Sequence, residues 1–103
     1  MKVFITGTDT HVGKTLVSSW LCLHTGFPYF KPIQTGLKED RDTSMVHELS
    51  GVKTYREIYA YQAPLSPHRA AKLENDTIEI EKIVCPLETS IIIEGAGGLL
   101  VPL

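Results

Sequence analysis

Gly7-Thr8-Asp9-Thr10-His11-Val12-Gly13-Lys14-Thr15 is the stretch whose residue types and order point most directly to chemistry. Holding nucleotide phosphates requires glycine where the backbone turns tightly and approaches an anion. It also requires the free N–H groups of a helix start, a lysine for the β- and γ-phosphate oxygens, and a hydroxyl for Mg²⁺. Gly7, Gly13, Lys14 and Thr15 supply these in that order, with five residues between the glycines where the general pattern has four. A Gly-Lys-Thr tripeptide by itself is common, so its setting decides the reading. Here an apolar run precedes it and a helical pattern follows it. Two other places carry suitable groups: Lys31, followed by Pro32, Gln34, Thr35 and Gly36, and Glu94, which ends the run Ile91-Ile92-Ile93 and opens Gly95-Ala96-Gly97-Gly98. A carboxylate ending such a run is costly to bury unpaired, so Glu94 is expected to face a cation or solvent. Magnesium takes hard oxygen ligands, and Thr15 and Glu94 fit that preference.

The elements that would position these groups follow from local pattern. Val3-Phe4-Ile5 reads as a short buried strand broken by Gly7. Leu16, Val17, Trp20, Leu21 and Leu23 recur at helical spacing from Lys14 to Thr25, with Gly26 and Pro28 as a stop. Tyr29-Phe30 is a second strand, and Ile91-Ile92-Ile93 a third. Strand, glycine loop, helix, strand is a βαβ unit, which predicts a parallel sheet with a right-handed crossover. In such a sheet ligands bind beyond the carboxyl ends of the strands, where the glycine loop, Lys31 and Glu94 all fall. Asp42 or Thr43 can cap a helix running to about Leu49 and closed by Ser50-Gly51. Ser66-Pro67 opens another helix, continued by Ala70, Ala71 and Leu73. Residues 52 to 65 are ambiguous, with Ile58 to Tyr61 extended at best, and Ile78 to Ile83 is expected to be helical until Pro86.

Bulk composition narrows the class. With 103 residues, 43% hydrophobic and 21% charged, the chain has the make-up of one soluble globular domain. A formal net charge of −2 argues against nucleic acid or a membrane surface as partner. The sequence has neither an apolar run near the ~20 residues of a spanning helix nor a signal-peptide pattern, so a cytoplasmic setting is expected. Cys22 and Cys85 lack CxxC spacing and read as reduced structural thiols. His11, His24, His47 and His68 lack zinc-site spacing.

Gly-Thr-Asp-Thr-x-Val-Gly-Lys-Thr, with its five-residue interval, closely resembles the phosphate loop of the dethiobiotin synthetases, ligases of the P-loop NTPase superfamily. Lys31-Pro32-Ile33-Gln34-Thr35-Gly36 resembles that family's Lys-Pro-Val-x-Ser/Thr-Gly element, and Glu94-Gly95-Ala96-Gly97-Gly98 its Glu-Gly-Ala-Gly-Gly loop. Ser66-Pro67-His68 also looks like a family segment. His11 departs from the family, where an acidic residue commonly stands.

The resemblance implies an α/β P-loop NTPase fold, a parallel sheet flanked by helices in three layers. Residues 1–103 would form one nucleotide-binding domain, apparently truncated at its C-terminus. It further implies closure of 7,8-diaminononanoate with CO₂ to dethiobiotin at the expense of ATP, with Mg²⁺, in a protein that is a homodimer when complete. By the same resemblance Thr8, Asp9, Thr10, His11, Val12, Gly13, Lys14, Thr15, Glu94 and Gly97 would surround the nucleotide. Thr15, Glu94 and a second carboxylate would hold the metal; Asp42 matches best by order, with Glu39 and Asp40 beside it. Lys14 and Lys31 would be catalytic, and Thr10, Lys31 and Thr35 would contact substrate. Two other readings remain open. One is a P-loop amide-forming ligase of the cobyrinic acid amidating type. The other is a partner-binding nucleotide switch, whose deviant loop carries a lysine where Asp9 stands here.

Overall fold

The computed structural model describes residues 1–6, 13–36, 42–63, 65 and 67–95. Strand β1 (Lys2–Ile5) leads to helix α1 (Gly13–Thr25), and strand β2 (Tyr29–Phe30) to strand β3 (Ile33–Gln34). Helix α2 (Asp42–Ser50), strand β4 (Tyr59–Ala60), helix α3 (Pro67–Leu73) and strand β5 (Ile91–Glu94) complete the order. β5 lies between β1 and β2 and is parallel to both, with Phe4 opposite Ile93, Ile5 opposite Glu94 and Tyr29 opposite Ile92. The expected parallel sheet, with helices packed on it, is therefore what forms.

Each of the two longer helices stops at a glycine. Gly26 and Gly51 both have φ of +74°, and their N–H groups bond the carbonyls of Cys22 and His47 at 2.8 Å. Only glycine takes that left-handed turn at little cost, so these are the helix ends expected from Gly26 and Ser50-Gly51. At its start α2 has its first N–H bonded to the Gln34 side-chain oxygen at 3.2 Å. The two residues expected as caps are engaged elsewhere: Asp42 with Lys31, and Thr43 with Glu57 at 2.5 Å.

The main core brings Cys22 of α1, Val46 of α2, Tyr29 of β2 and Ile92 of β5 together, with Val3, Ile5, Leu21, Phe27 and Val52 against them. Burying an aliphatic side chain of this kind contributes about 1.5–3 kcal/mol. The period of two along a strand then fixes who shares a face: Ile92 with Glu94, and Tyr29 with Lys31. Phe30 points the other way and meets Tyr55 edge-on, with ring centroids 6.4 Å apart.

One expectation is corrected, and two features go beyond the sequence reading. Helix α1 turns Lys14, Thr15, Ser18, Ser19 and Cys22 inward, while Leu16, Val17, Trp20 and Leu23 are exposed. Small inward side chains let the helix lie close on the sheet, and a carboxylate waiting beneath rewards the hydroxyls. Ile78 to Ile83 is not a helix: a single 3₁₀ turn covers Ile80–Lys82. The run is rich in β-branched residues, the Glu79 N–H is taken by the Tyr59 hydroxyl at 3.0 Å, and Ile80 is exposed. Finally, β3 and β4 pair in parallel as a second small sheet. Beside it Tyr61, Ala70 and Ala71 form a separate core cluster with Tyr59, Ala63 and Ile78.

Candidate active site

Glu94 ends the central strand with its side chain directed at α1, and it is fully buried. Four donors meet its two oxygens. Oε2 receives Thr15 Oγ1 at 3.3 Å and Lys31 Nζ at 3.1 Å. Oε1 receives the Ser18 hydroxyl at 3.0 Å and the Tyr29 hydroxyl at 3.0 Å. A buried carboxylate is tolerable only when charge and lone pairs are both met, and this one meets both.

Lys31 is the hub. It follows β2, is nearly buried, and also forms an ion pair with Asp42 at the first turn of α2. One ammonium thus holds two carboxylates from different elements. Gln34 supports the arrangement from β3: its side-chain oxygen accepts the Asp42 N–H, and its amide donates to the Thr35 carbonyl at 2.6 Å. Lys14, buried at the start of α1, donates to the Gly95 carbonyl at 3.4 Å, next to Glu94.

Burial first, then the Glu94 and Asp42 charges, push the Tyr29 phenol far above its ordinary range. It stays protonated and is a donor to Glu94 throughout the working range. Burial, with Glu94 second, pushes the Cys22 thiol up to about 11.

Of the residues singled out in the sequence, Lys14, Thr15, Lys31, Asp42 and Glu94 are brought together. Thr35 stands just past β3, half-buried, and Gly13 begins α1. Thr8, Asp9, Thr10, His11, Val12 and Gly97, with Glu39 and Asp40, lie outside the described residues. His68 is exposed in the first turn of α3. Ser18 and Tyr29 were given no role in the site, and Gln34 was named beside Lys31 without one. Ser18 had a readable signal, being three residues beyond Thr15 and so on the same face of the helix. Tyr29 had a fainter one, two residues before Lys31 on the same strand face.

The donor chemistry suits a small divalent cation. Two carboxylates and a threonine hydroxyl converge, all hard oxygen donors, and they are now bridged by an ammonium. Among the described residues no three or more His, Cys, Asp or Glu side chains cluster as a metal cage. Magnesium does not need one, since it takes one or two carboxylates and draws its other ligands from phosphate and water.

A parallel α/β sheet with a lysine and threonine opening the first helix, and an acid ending the neighbouring strand, defines a nucleotide-binding protein of the P-loop kind. Residues 1–103 match the profile described as "AAA domain", and the chain belongs to that family. Its relatives are narrower in kind. It is 56% identical to the ATP-dependent dethiobiotin synthetase of Lawsonia intracellularis over 103 residues, covering 100% of this chain and 51% of that protein. The enzyme of the same name from Neorickettsia sennetsu is 39% identical over 138 residues, covering 100% and 55%. That of Chlamydia pneumoniae is 47% identical over 102 residues, covering 98% and 47%. The chain spans about half the length of the curated relatives it matches.

Proposed function

We propose that the polypeptide carrying this chain is an ATP-dependent dethiobiotin synthetase that closes 7,8-diaminononanoate with CO₂ into a cyclic urea. The carrying observation is the bridge of Lys31 between Asp42 and Glu94, with Thr15 on the same Glu94 oxygen. This supports the reading because oxygen donors suited to a cation and a buried positive charge lie together at the carboxyl ends of the strands, beside Lys14.

In this reading one amine of the substrate takes up CO₂ as a carbamate. A carbamate oxygen attacks the γ-phosphorus of ATP and ADP leaves. The second amine then attacks the carbonyl carbon and expels phosphate as the ring closes. Such transfer depends mainly on positioning and charge neutralisation. Lys14 holds β- and γ-phosphate oxygens, and Thr8, Asp9, Thr10, His11, Val12 and Gly13 are the further nucleotide-binding residues. Thr15, Asp42 and Glu94 would hold Mg²⁺, which would supply neutralisation of the phosphate charge. Lys31 stabilises charge shared by the carbamate and the transferring phosphoryl group. Thr10 and Thr35 bond substrate or carbamate oxygens, and Gly97 allows close backbone approach. The enzyme works in the cytoplasm as a homodimer; the exposed apolar face of α1 supports its burial in an assembled protein. Among the described residues no helix is long and apolar enough to cross a membrane.

The test is phosphate release from ATP by the complete polypeptide, with joint dependence on diaminononanoate and bicarbonate as the expected result. Release driven by glutamine, or by neither co-substrate, would remove this reading. Lys14→Ala is expected to abolish release; near-normal turnover would show that the phosphates bind elsewhere.

A further inference from the structure

The four donors on Glu94 are distributed in a regular way. Helix α1 gives one hydroxyl to each carboxylate oxygen, Thr15 to Oε2 and Ser18 to Oε1. The β2 segment does the same, with Lys31 on Oε2 and Tyr29 on Oε1. The two groups on Oε2 are those assigned to cation and phosphate chemistry. The two on Oε1 are neutral hydroxyls of fully buried residues. We propose that Ser18 and Tyr29 are positioning residues that clamp Oε1 of Glu94 and so hold Oε2 towards Thr15 and Lys31 as a preset ligand for the divalent cation.

The physical case is one of rotation. The terminal torsion of a glutamate is broad, so a carboxylate held by a single donor can still turn and offer either oxygen to a metal. Two donors reaching Oε1 from different elements, each at 3.0 Å, fix the carboxylate plane. Neither donor adds charge, so the negative charge of Glu94 stays available on its other side. Tyr29 is also anchored as a strand residue opposite Ile92, and Ser18 lies within α1 against the same sheet. The clamp is therefore built on a helix and a strand that both pack against β5. Groups behind a metal ligand commonly change metal affinity ~10–100-fold when removed.

The inference rests on Glu94 being a metal ligand, and its test separates the two claims. Mn²⁺ is titrated as a stand-in for Mg²⁺ into the complete polypeptide saturated with a non-hydrolysable ATP analogue, and free Mn²⁺ is read by electron paramagnetic resonance. Tyr29→Phe and Ser18→Ala are each expected to weaken Mn²⁺ binding about 10-fold, with the metal-free affinity for the analogue unchanged. Glu94→Gln serves as the reference. If Glu94→Gln weakens Mn²⁺ binding while both hydroxyl variants bind it normally, the clamp is overturned and the metal role of Glu94 stands. Normal Mn²⁺ binding overturns the clamp even if the hydroxyl variants melt at lower temperature, because a packing role alone predicts such a loss of stability. If Glu94→Gln leaves Mn²⁺ binding unchanged, both claims fall. Should Tyr29→Phe not fold, Ser18→Ala carries the test alone.

Discussion

Lys31 joins two carboxylates that would otherwise have little reason to approach one another, since Asp42 opens a helix and Glu94 closes a strand. Removing its ammonium leaves Glu94 buried on neutral donors. Breaking a buried pair from one side typically costs about 3–5 kcal/mol, because the remaining charge stays desolvated. Lys31→Ala is therefore expected to lower stability by roughly 3 kcal/mol in a denaturant titration. It should also cut turnover far more than it weakens ATP binding, since the charge is most useful as the phosphoryl group moves. A loss confined to ATP affinity would remove Lys31 from the chemistry. Cys22 illustrates the same electrostatics at a group without a catalytic role. Burial and the Glu94 charge hold its thiol up at about 11, so little thiolate exists near neutral pH. In the native protein iodoacetamide at pH 8 should modify Cys85, which is partly exposed, and leave Cys22 intact until denaturant is added. Mass spectrometry of the alkylated peptides checks this, and early labelling of Cys22 would contradict its burial.

Among the elements, β5 matters most because it is the middle strand and carries Glu94 at its end. Ile92 is fully buried there, among Cys22, Tyr29 and Val46. Ile92→Ala removes packing from both helices and both neighbouring strands at once, and is expected to cost about 2–5 kcal/mol. The measurement is the denaturant midpoint, and a shift under 1 kcal/mol would mean the core collapses to fill the gap. Helix α1 shows how a site can dictate packing. Its sheet-facing side is Thr15, Ser18, Ser19 and Cys22, so the helix spends its inward face on small polar groups that reach Glu94 or its own backbone. Its larger apolar residues are left for another surface.

That surface is a property of the whole molecule. Leu16, Val17, Trp20 and Leu23 are each at least half exposed, with Trp20 at 59% and its ring 4.6 Å from that of His24. An apolar patch of this kind marks a contact surface. The 103-residue chain, purified alone, is expected to self-associate, and Trp20→Lys should move it towards monomer in sedimentation velocity runs. Trp20 is the single tryptophan, so its emission should shift to the blue as concentration rises. A monomeric parent chain with concentration-independent emission would show that the face is solvated without consequence.

Much of this protein was legible in sequence because much of it is locally encoded. Glycines at 26 and 51 end helices through a backbone angle that other residues resist, and three short apolar runs became parallel strands. The lysine, threonine, second lysine and acid of the site could be read from position, because a parallel sheet sends every strand end to one side. Three things were not readable that way. The helix expected over Ile78 to Ile83 depended on a packed face that the fold does not provide, and β3 and β4 are too short to show a period. Which face of α1 goes inward is not given by hydrophobic spacing, which by itself would send the apolar side to the core. Here a buried carboxylate lies beneath the helix, and an unpaired charge costs more than several exposed leucines. That choice depends on a residue 79 positions away from Thr15 along the chain, and only the tertiary structure brings the two together.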